Sequence, residues 1–382
     1  MKIIIAAGAL KHSLSAAAAA QAIARGLRRS GLNADLVLLP IADGGNGTLA
    51  AFLMSGGQRK VVPTTDPLGR SREAPFARTG TSAVIEMALA SGLELLRADE
   101  LDPLRASTFG TGQLLQAALD SGAKRIIVGV GGSATVDGGA GCLQALGVRL
   151  LDENGKDVPP GGGSLNRVTQ IDVSRLDPRW RETEVIIASD VDNPTLGEQG
   201  AAAVFGPQKG ATPDQVRVLE ANLRHFFTLT ADQVGVDVRV TRGGGAAGAL
   251  SAGLMAYLGG RIESGIDLIL DLHDFDRKLK EADLVLTSEG RLDAQTIHGK
   301  GPLGVARRAG KRGVPTIALV GGLDVDDALL HGAGLWAALP IVDQPMPLDR
   351  ALAQAEALIE RAALRVGYLL QLETGGHHGQ PY

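Results

Sequence analysis

Asp190 and Asp192 stand two residues apart in the string Ser189-Asp190-Val191-Asp192-Asn193-Pro194, at the end of an apolar run predicted to be a strand, Glu184–Ala188. In extended chain alternate residues project to the same side, so both carboxylates can face one site. Such a pair suits a divalent cation, or one acid can hold metal while the other accepts a proton. The competing reading is a solvated strand end, because Asn193-Pro194 itself encodes a turn.

A second cluster, Ser288-Glu289-Gly290-Arg291-Leu292-Asp293, puts two acids and a guanidinium in one loop after a predicted strand, Ala282–Thr287. Arg291 can grip a carboxylate or phosphate with two parallel N–H groups, and Glu289 or Asp293 can hold metal or orient Arg291. A surface ion-pair loop is the alternative. Lys300, after His298-Gly299, can reach a phosphate as a point charge, and so can Lys11, in the loop after the first predicted strand. Asp43 and Asp137 each lie inside a glycine-rich loop, where an acid either binds metal through water or hydrogen-bonds its own turn.

The longest such loop is Ile126–Gly141. An Ile-Ile-Val run empties into Gly129, Gly131, Gly132, Gly138, Gly139 and Gly141, with Ser133, Thr135 and Asp137 between them. Glycine lets backbone N–H groups approach a ligand closely, and a predicted helix from Cys142 to Leu146 would offer its positive end, so phosphate is the natural guest. The same residues would also serve tight turns and close packing. Further glycine-rich stretches fall before predicted helices at Ala42–Thr48, Thr108–Gly112 and Arg242–Gly248. No G-x-x-x-x-G-K-[ST], no G-x-G-x-x-G in the first βα turn and no G-x-S-x-G occurs, which argues against a P-loop kinase, a dinucleotide oxidoreductase and a serine hydrolase. Anion cradles, a paired-Asp strand end and isolated Lys and Arg groups point to phosphoryl transfer, where the protein positions reactants and neutralises charge while Mg2+ bridges the phosphates.

Elements that place these residues follow from the apolar periodicity. Ile3-Ile4-Ile5 predicts a buried strand, Ser15–Arg29 a helix with Ser15 as N-cap, and Ala34–Leu39 a second strand, together a βαβ unit of a parallel sheet. Val61–Ala77 alternates and is broken by prolines, as antiparallel strands are. Strand–helix alternation returns towards the end, with a long closing helix over Ala351–Leu370. We therefore expect an α/β chain of two domains. Residues 1–65 and 281–375 form one discontinuous Rossmann-like domain, residues 66–280 an inserted α/β domain, and residues 376–382 a flexible tail whose His377-His378 pair is not a metal site.

A chain of 382 residues exceeds one core, which agrees with two domains. Net charge −4 provides no field for nucleic acid or an anionic membrane, so anionic substrates must be held by local groups. The single Cys142 excludes an intramolecular disulfide and suits a small buried residue better than a nucleophile. The opening apolar run is too short for a secretory signal and no segment suits a membrane span, so a cytoplasmic location is expected.

Taken in order, the motifs resemble the bacterial type I glycerate kinase family. The residues that carry the resemblance are Ala42–Thr48, Ser107–Gly112, Gly129–Gly141, Ser189–Pro194, Phe205–Thr212 (F-G-P-Q-K-G-A-T) and Ser288–Lys300. The resemblance implies ATP- and Mg2+-dependent phosphorylation of D-glycerate to 2-phosphoglycerate, on two α/β domains with the site in the cleft between them. Expected partners are a small hydroxy acid and ATP, and a homodimer is left open. It further implies Asp190, Asp192, Lys11 and Arg291 as catalytic residues, with Asp190 favoured as base, and Asp190, Asp192 and Glu289 as metal ligands. Gly131, Gly132, Ser133, Thr135, Asp137, Gly138 and Lys300 become nucleotide contacts, and Lys11, Asp43, Gly44, Arg291 and Asp293 substrate contacts. Departures from the pattern are Gly8 for Asp, His12 for Gly, Asn46 for Glu, Val136 for Asn and Ser288 for Gly. With two carboxylates fewer, the chain could instead phosphorylate another hydroxy acid, or bind a nucleotide or metabolite without turnover.

Overall fold

The computed structural model describes the chain except residues 11, 43, 55, 294–300 and 375–382. It divides into two compact units, residues 1–43 with 266–382 and residues 44–265. The strands are β1 (Lys2–Ala7), β2 (Asp35–Leu38), β3 (Gln58–Thr65), β4 (Ser71–Thr79), β5 (Ser82–Glu86), β6 (Arg125–Gly129) and β7 (Arg149–Leu151). They continue with β8 (Gln170–Asp172), β9 (Glu184–Ala188), β10 (Arg261–Glu263), β11 (Leu284–Leu292), β12 (Thr316–Leu323) and β13 (Ala337–Pro340).

The first unit is a five-stranded sheet in the order β13-β12-β11-β1-β2, with every pair parallel. Its interior strand β1 carries Ile3-Ile4-Ile5, all three fully buried, as expected of a parallel strand covered on both faces. One face packs on the helices Ala16–Arg29 and Ala355–Thr374, and the other on Pro302–Gly310 and Asp327–Gly332. Ser15 caps the first helix, its Oγ accepting from Ala18 N at 3.2 Å. Gly26 brings the two long helices together, since a Cβ there would stand 2.2 Å from Glu360 O.

In the second unit a six-stranded sheet runs β10-β9-β6-β5-β4-β3. The four strands from β10 to β5 are parallel, and β5-β4-β3 is an antiparallel meander. The first and last strands of the chain therefore share one sheet. The boundaries, however, fall at residues 43/44 and 265/266, where the sequence pattern puts them at 65/66 and 280/281. Gln58–Thr65 pairs residue by residue with β4, so the hairpin takes the whole of β3 into the second unit. Among the described residues no helix is long and apolar enough to cross a membrane.

Candidate active site

In the second unit three strand ends gather the glycine loops. β6 ends at Gly129 and the chain turns through Gly131-Gly132-Ser133, with Gly132 at φ +73°. That turn lies on the Gly44–Thr48 segment. Gly131 N donates to Gly44 O at 3.1 Å, and a Cβ on Gly131 would stand 2.5 Å from Gly45 Cα, so here glycine meets glycine because nothing larger fits. Gly44 also abuts the end of β9, where an added Cβ would meet Ala188 O at 2.3 Å.

Glu86, at the end of β5, holds the same segment from below. Its Oε2 accepts from Gly47 N at 3.2 Å and Leu49 N at 3.1 Å, satisfying two amides at the start of the helix Thr48–Met54. Burial pushes the Glu86 carboxyl above its usual range, against the pull of those two amides. Sequence reasoning missed this residue, since an acid closing an apolar strand looks like any strand end. Asn46 turns the other way, its Nδ2 donating to Glu94 Oε1 at 2.8 Å.

The long glycine stretch splits into two parts. Gly131 is half-buried, Gly132 exposed and Ser133 buried, and everything from Ala134 to Ala140 is buried as well. Thr135 and Asp137 are fully buried. Asp137 accepts four hydrogen bonds, from Thr108 N and Thr108 Oγ1 at 2.8 Å each, Gly139 N at 3.1 Å and Gly141 N at 3.2 Å. Thr108 Oγ1 in turn accepts from Cys142 N at 2.9 Å, and Gly138 N donates to Gly248 O at 2.9 Å. The expected positive helix end is therefore already consumed: its amides are capped from within.

Thr135, Asp137 and Gly138, expected as nucleotide contacts, are thus buried and engaged within the protein. Asp137 is the acid that bonds its own turn, and burial, its largest influence, pushes its pKa up against the pull of its donors. Ser107–Gly112 is likewise no strand-end loop. It enters the helix Phe109–Asp120, in which Gly112 allows contact with the helix Ala140–Ala145. Cys142 is fully buried, and burial raises its thiol pKa far above ordinary, so it is no nucleophile.

What remains accessible is small and well defined. Leu93 N donates to Gly132 O and Ala134 N to Ser91 O, both at 2.9 Å, which fixes the turn on either side of Ser133. The amides of Gly132 and Ser133 have no acceptor among the described residues. Two successive N–H groups around a left-handed residue form a concavity suited to an anion. Behind it lies Lys209, 2% exposed, whose Nζ donates to Ser133 Oγ at 2.8 Å and Thr135 O at 2.7 Å. Lys209 belongs to the motif Phe205–Thr212, but nothing in its spacing indicates that the ammonium points inward.

At the end of β9 the paired aspartates diverge. Asp190 is half-buried and its Oδ1 accepts from Gly265 N at 3.2 Å. Asp192 is exposed and takes both of its oxygens to Arg242, at 2.9 and 2.7 Å. The strand stops at Ala188, so strict alternation no longer holds where it was expected to align the two.

In the first unit β1 and β11 are neighbours whose following strands, β2 and β12, lie on opposite sides. The carboxyl ends of β1 and β11 are thus the switch point where ligands of open α/β sheets bind. Gly8 and Ser288 meet there: Gly8 N donates to Ser288 O at 3.1 Å and Ser288 Oγ to Gly8 O at 2.8 Å. A Cβ on Gly8 would stand 2.5 Å from Ser288 O, so these two departures from the family pattern belong together. Glu289 is half-buried, with Oε2 2.8 Å from where a Cβ of Gly301 would lie. Arg291, exposed, pairs with Asp324 at 2.5 Å, and Asp293 follows the strand, half-buried. Lys11, Asp43 and Lys300 lie outside the described residues. Among those described, no three His, Cys, Asp or Glu side chains cluster as a metal site.

These features define an α/β protein with a glycine-rich turn at a strand end. The chain belongs to the glycerate kinase family, which it matches over residues 3–371. It is 47% identical over 367 residues to a glycerate kinase of Halalkalibacterium halodurans, covering 95% of this chain and 97% of the relative. It is 43% identical over 375 residues to the glycerate 2-kinase of Escherichia coli (strain K12), covering 97% and 98%. A crystal structure from Salmonella typhimurium LT2, described there as a candidate glycerate kinase 2, superposes with a TM-score of 0.84 at 43% identity, covering 98% of this chain and 99% of that one.

Proposed function

We propose that this protein transfers the γ-phosphoryl group of ATP to the 2-hydroxyl of D-glycerate, with Mg2+. The observation that carries the reading is the turn Gly131–Ser133, with two amides that have no acceptor among the described residues and a buried lysine behind it, in a chain similar to glycerate kinases over nearly its whole length. Gly132, Ser133 and the backbone of Gly131 take the nucleotide phosphates, and Lys300 adds a point charge. Asp190 accepts the hydroxyl proton. Arg291 and Lys11 hold the acceptor's carboxylate or the transferred group, with Asp43, Gly44 and Asp293 around the acceptor.

Magnesium is usually held by one or two carboxylates together with phosphate oxygens and water. The family resemblance offers Asp190, Asp192 and Glu289 as the acids that would hold it, and no all-protein cage is needed. When bound, the ion spreads the charge of the phosphates; the chain itself positions the reactants and excludes water.

The test is phosphorus NMR of the products after incubation with ATP, Mg2+ and D-glycerate. A 2-phosphoglycerate signal is expected, and 3-phosphoglycerate or no product would overturn the assignment. The closed Gly8–Ser288 contact, which leaves no room for a side chain at residue 8, favours a second reading in which the same chemistry serves another hydroxy acid. An ADP-release assay over D-glycerate, tartronate, hydroxypyruvate and longer aldonates separates the two by which acceptor has the highest kcat/KM.

A further inference from the structure

Lys209 is among the largest fully buried side chains of the molecule. It ends a short turn, Pro207–Lys209, and Gly210 at φ +93° then swings the chain away. Burying an ammonium is costly unless its hydrogens find partners, and a hydrophobic side chain of the same length would fold as well or better. Its two partners both lie in the segment that leaves β6: the hydroxyl of Ser133 and the carbonyl of Thr135. Asp137 is the carboxylate whose charge reaches it, but Asp137's oxygens are engaged by Thr108, Gly139 and Gly141. The cation is therefore not neutralised by a direct ion pair among the described residues.

We propose that Lys209 is a positioning residue for the phosphate donor: it orients the Ser133 hydroxyl outward as a donor and places positive charge behind the Gly132 and Ser133 amides. An ammonium can only donate, so Ser133 Oγ receives its hydrogen bond in a lone pair and keeps its own proton for another acceptor. No acceptor for that proton is present among the described residues. An anion seated on the turn thus meets two amides, one hydroxyl and the field of a cation screened by protein rather than by water. Burial brings the Lys209 pKa down to about 7, so the site stands ready to gain positive charge when an anion arrives.

The inference rests on the reading of Gly131–Ser133 as the phosphate turn, and its test keeps the two apart. Lys209→Met, Lys209→Gln, Ser133→Ala and the double variant K209M/S133A are compared for kcat, for KM of ATP and of D-glycerate, and for thermal midpoint. Lys209→Met is expected to raise the KM of ATP about tenfold, as loss of a charge-assisted contact does. The KM of D-glycerate should stay within about twofold and the thermal midpoint should not fall. Lys209→Gln, which still donates to Ser133, should recover part of the ATP affinity and serves in place of Lys209→Met if that variant does not fold. The double variant should be no worse than the worse single one.

Equal changes in both KM values, effects that multiply, or an unchanged KM of ATP in Lys209→Met beside a raised one in Ser133→Ala would overturn the role of Lys209 alone. An unchanged KM of ATP in Ser133→Ala would overturn the hydroxyl contact and the role of Lys209 with it, whereas an unchanged KM of ATP in Gly132→Ala would overturn the phosphate turn itself.

Discussion

The two halves of one glycine-rich stretch, Gly131–Ser133 and Thr135–Gly141, both carry glycines and have opposite surroundings. In the first half the amides of Gly132 and Ser133 have no acceptor among the described residues, Gly132 is exposed and the hydroxyl of Ser133 is held from behind by Lys209. In the second, every residue is buried and the amides of Gly139 and Gly141 are spent on Asp137. Gly138 and Gly139, both at positive φ, press against Leu223, Phe226 and Leu250. Glycine lets a chain approach either a ligand or another part of the same chain, and only the neighbours decide which. In the proposed reading one half is a surface for binding and the other the anchor that keeps it in place.

The largest break in this comparison is Asp137→Ala. It strands four donors in a fully buried place, and we expect a loss of about 3–5 kcal/mol in chemical denaturation. Lys209 tests the anchor through pH. Its ordinary pKa of 10.5 applies to the unfolded chain and about 7 to the folded one. Below about pH 7 both states hold the proton and the burial penalty is felt in full. Between the two values only the unfolded chain holds it, so stability rises with pH. The wild type should gain roughly 2–4 kcal/mol between pH 6 and 10 relative to Lys209→Met, measured by denaturation at each pH.

Glycine substitutions sharpen the division. Gly132→Ala, at φ +73° and with its Cβ 2.6 Å from Asn46 Oδ1, should cost about 1–2 kcal/mol and raise the KM of ATP several-fold. Gly138→Ala, at φ +65° against Leu223 and the phenylalanines, should cost a similar amount and leave that KM unchanged. The smallest effect belongs to Arg242→Ala. It opens an exposed pair with Asp192, and stability should move by less than about 0.5 kcal/mol in the same denaturation assay.

Much of the fold was legible in the sequence because it rests on local signals. The triple isoleucine of β1, the Ser15 cap and the proline-broken alternation of the hairpin all appear where their patterns place them. Less legible was anything decided by a distant partner. Gln58–Thr65 joins the second unit because β4 pairs with it. Phe109–Gly112 belongs to a helix, and Asp137, 29 residues from Thr108, holds that residue at the helix entrance. The aspartate pair was read as aligned by strand alternation, but the strand ends two residues before Asp190 and each acid then finds its own partner. Lys209 stands inside the motif Phe205–Thr212, but nothing marked its ammonium as buried, since a lysine in a polar loop is nearly always solvated.

The central claim is that nucleotide phosphates sit on Gly132 and Ser133 and not on the glycines that follow. Titration of the isotopically labelled protein with ATP and Mg2+, followed by backbone amide NMR, tests it most directly. The amides of Gly132 and Ser133 should move far while those of Gly139 and Gly141, already bonded to Asp137, stay nearly still. Large shifts at Gly139 and Gly141 with none at Gly132 and Ser133 would contradict the account.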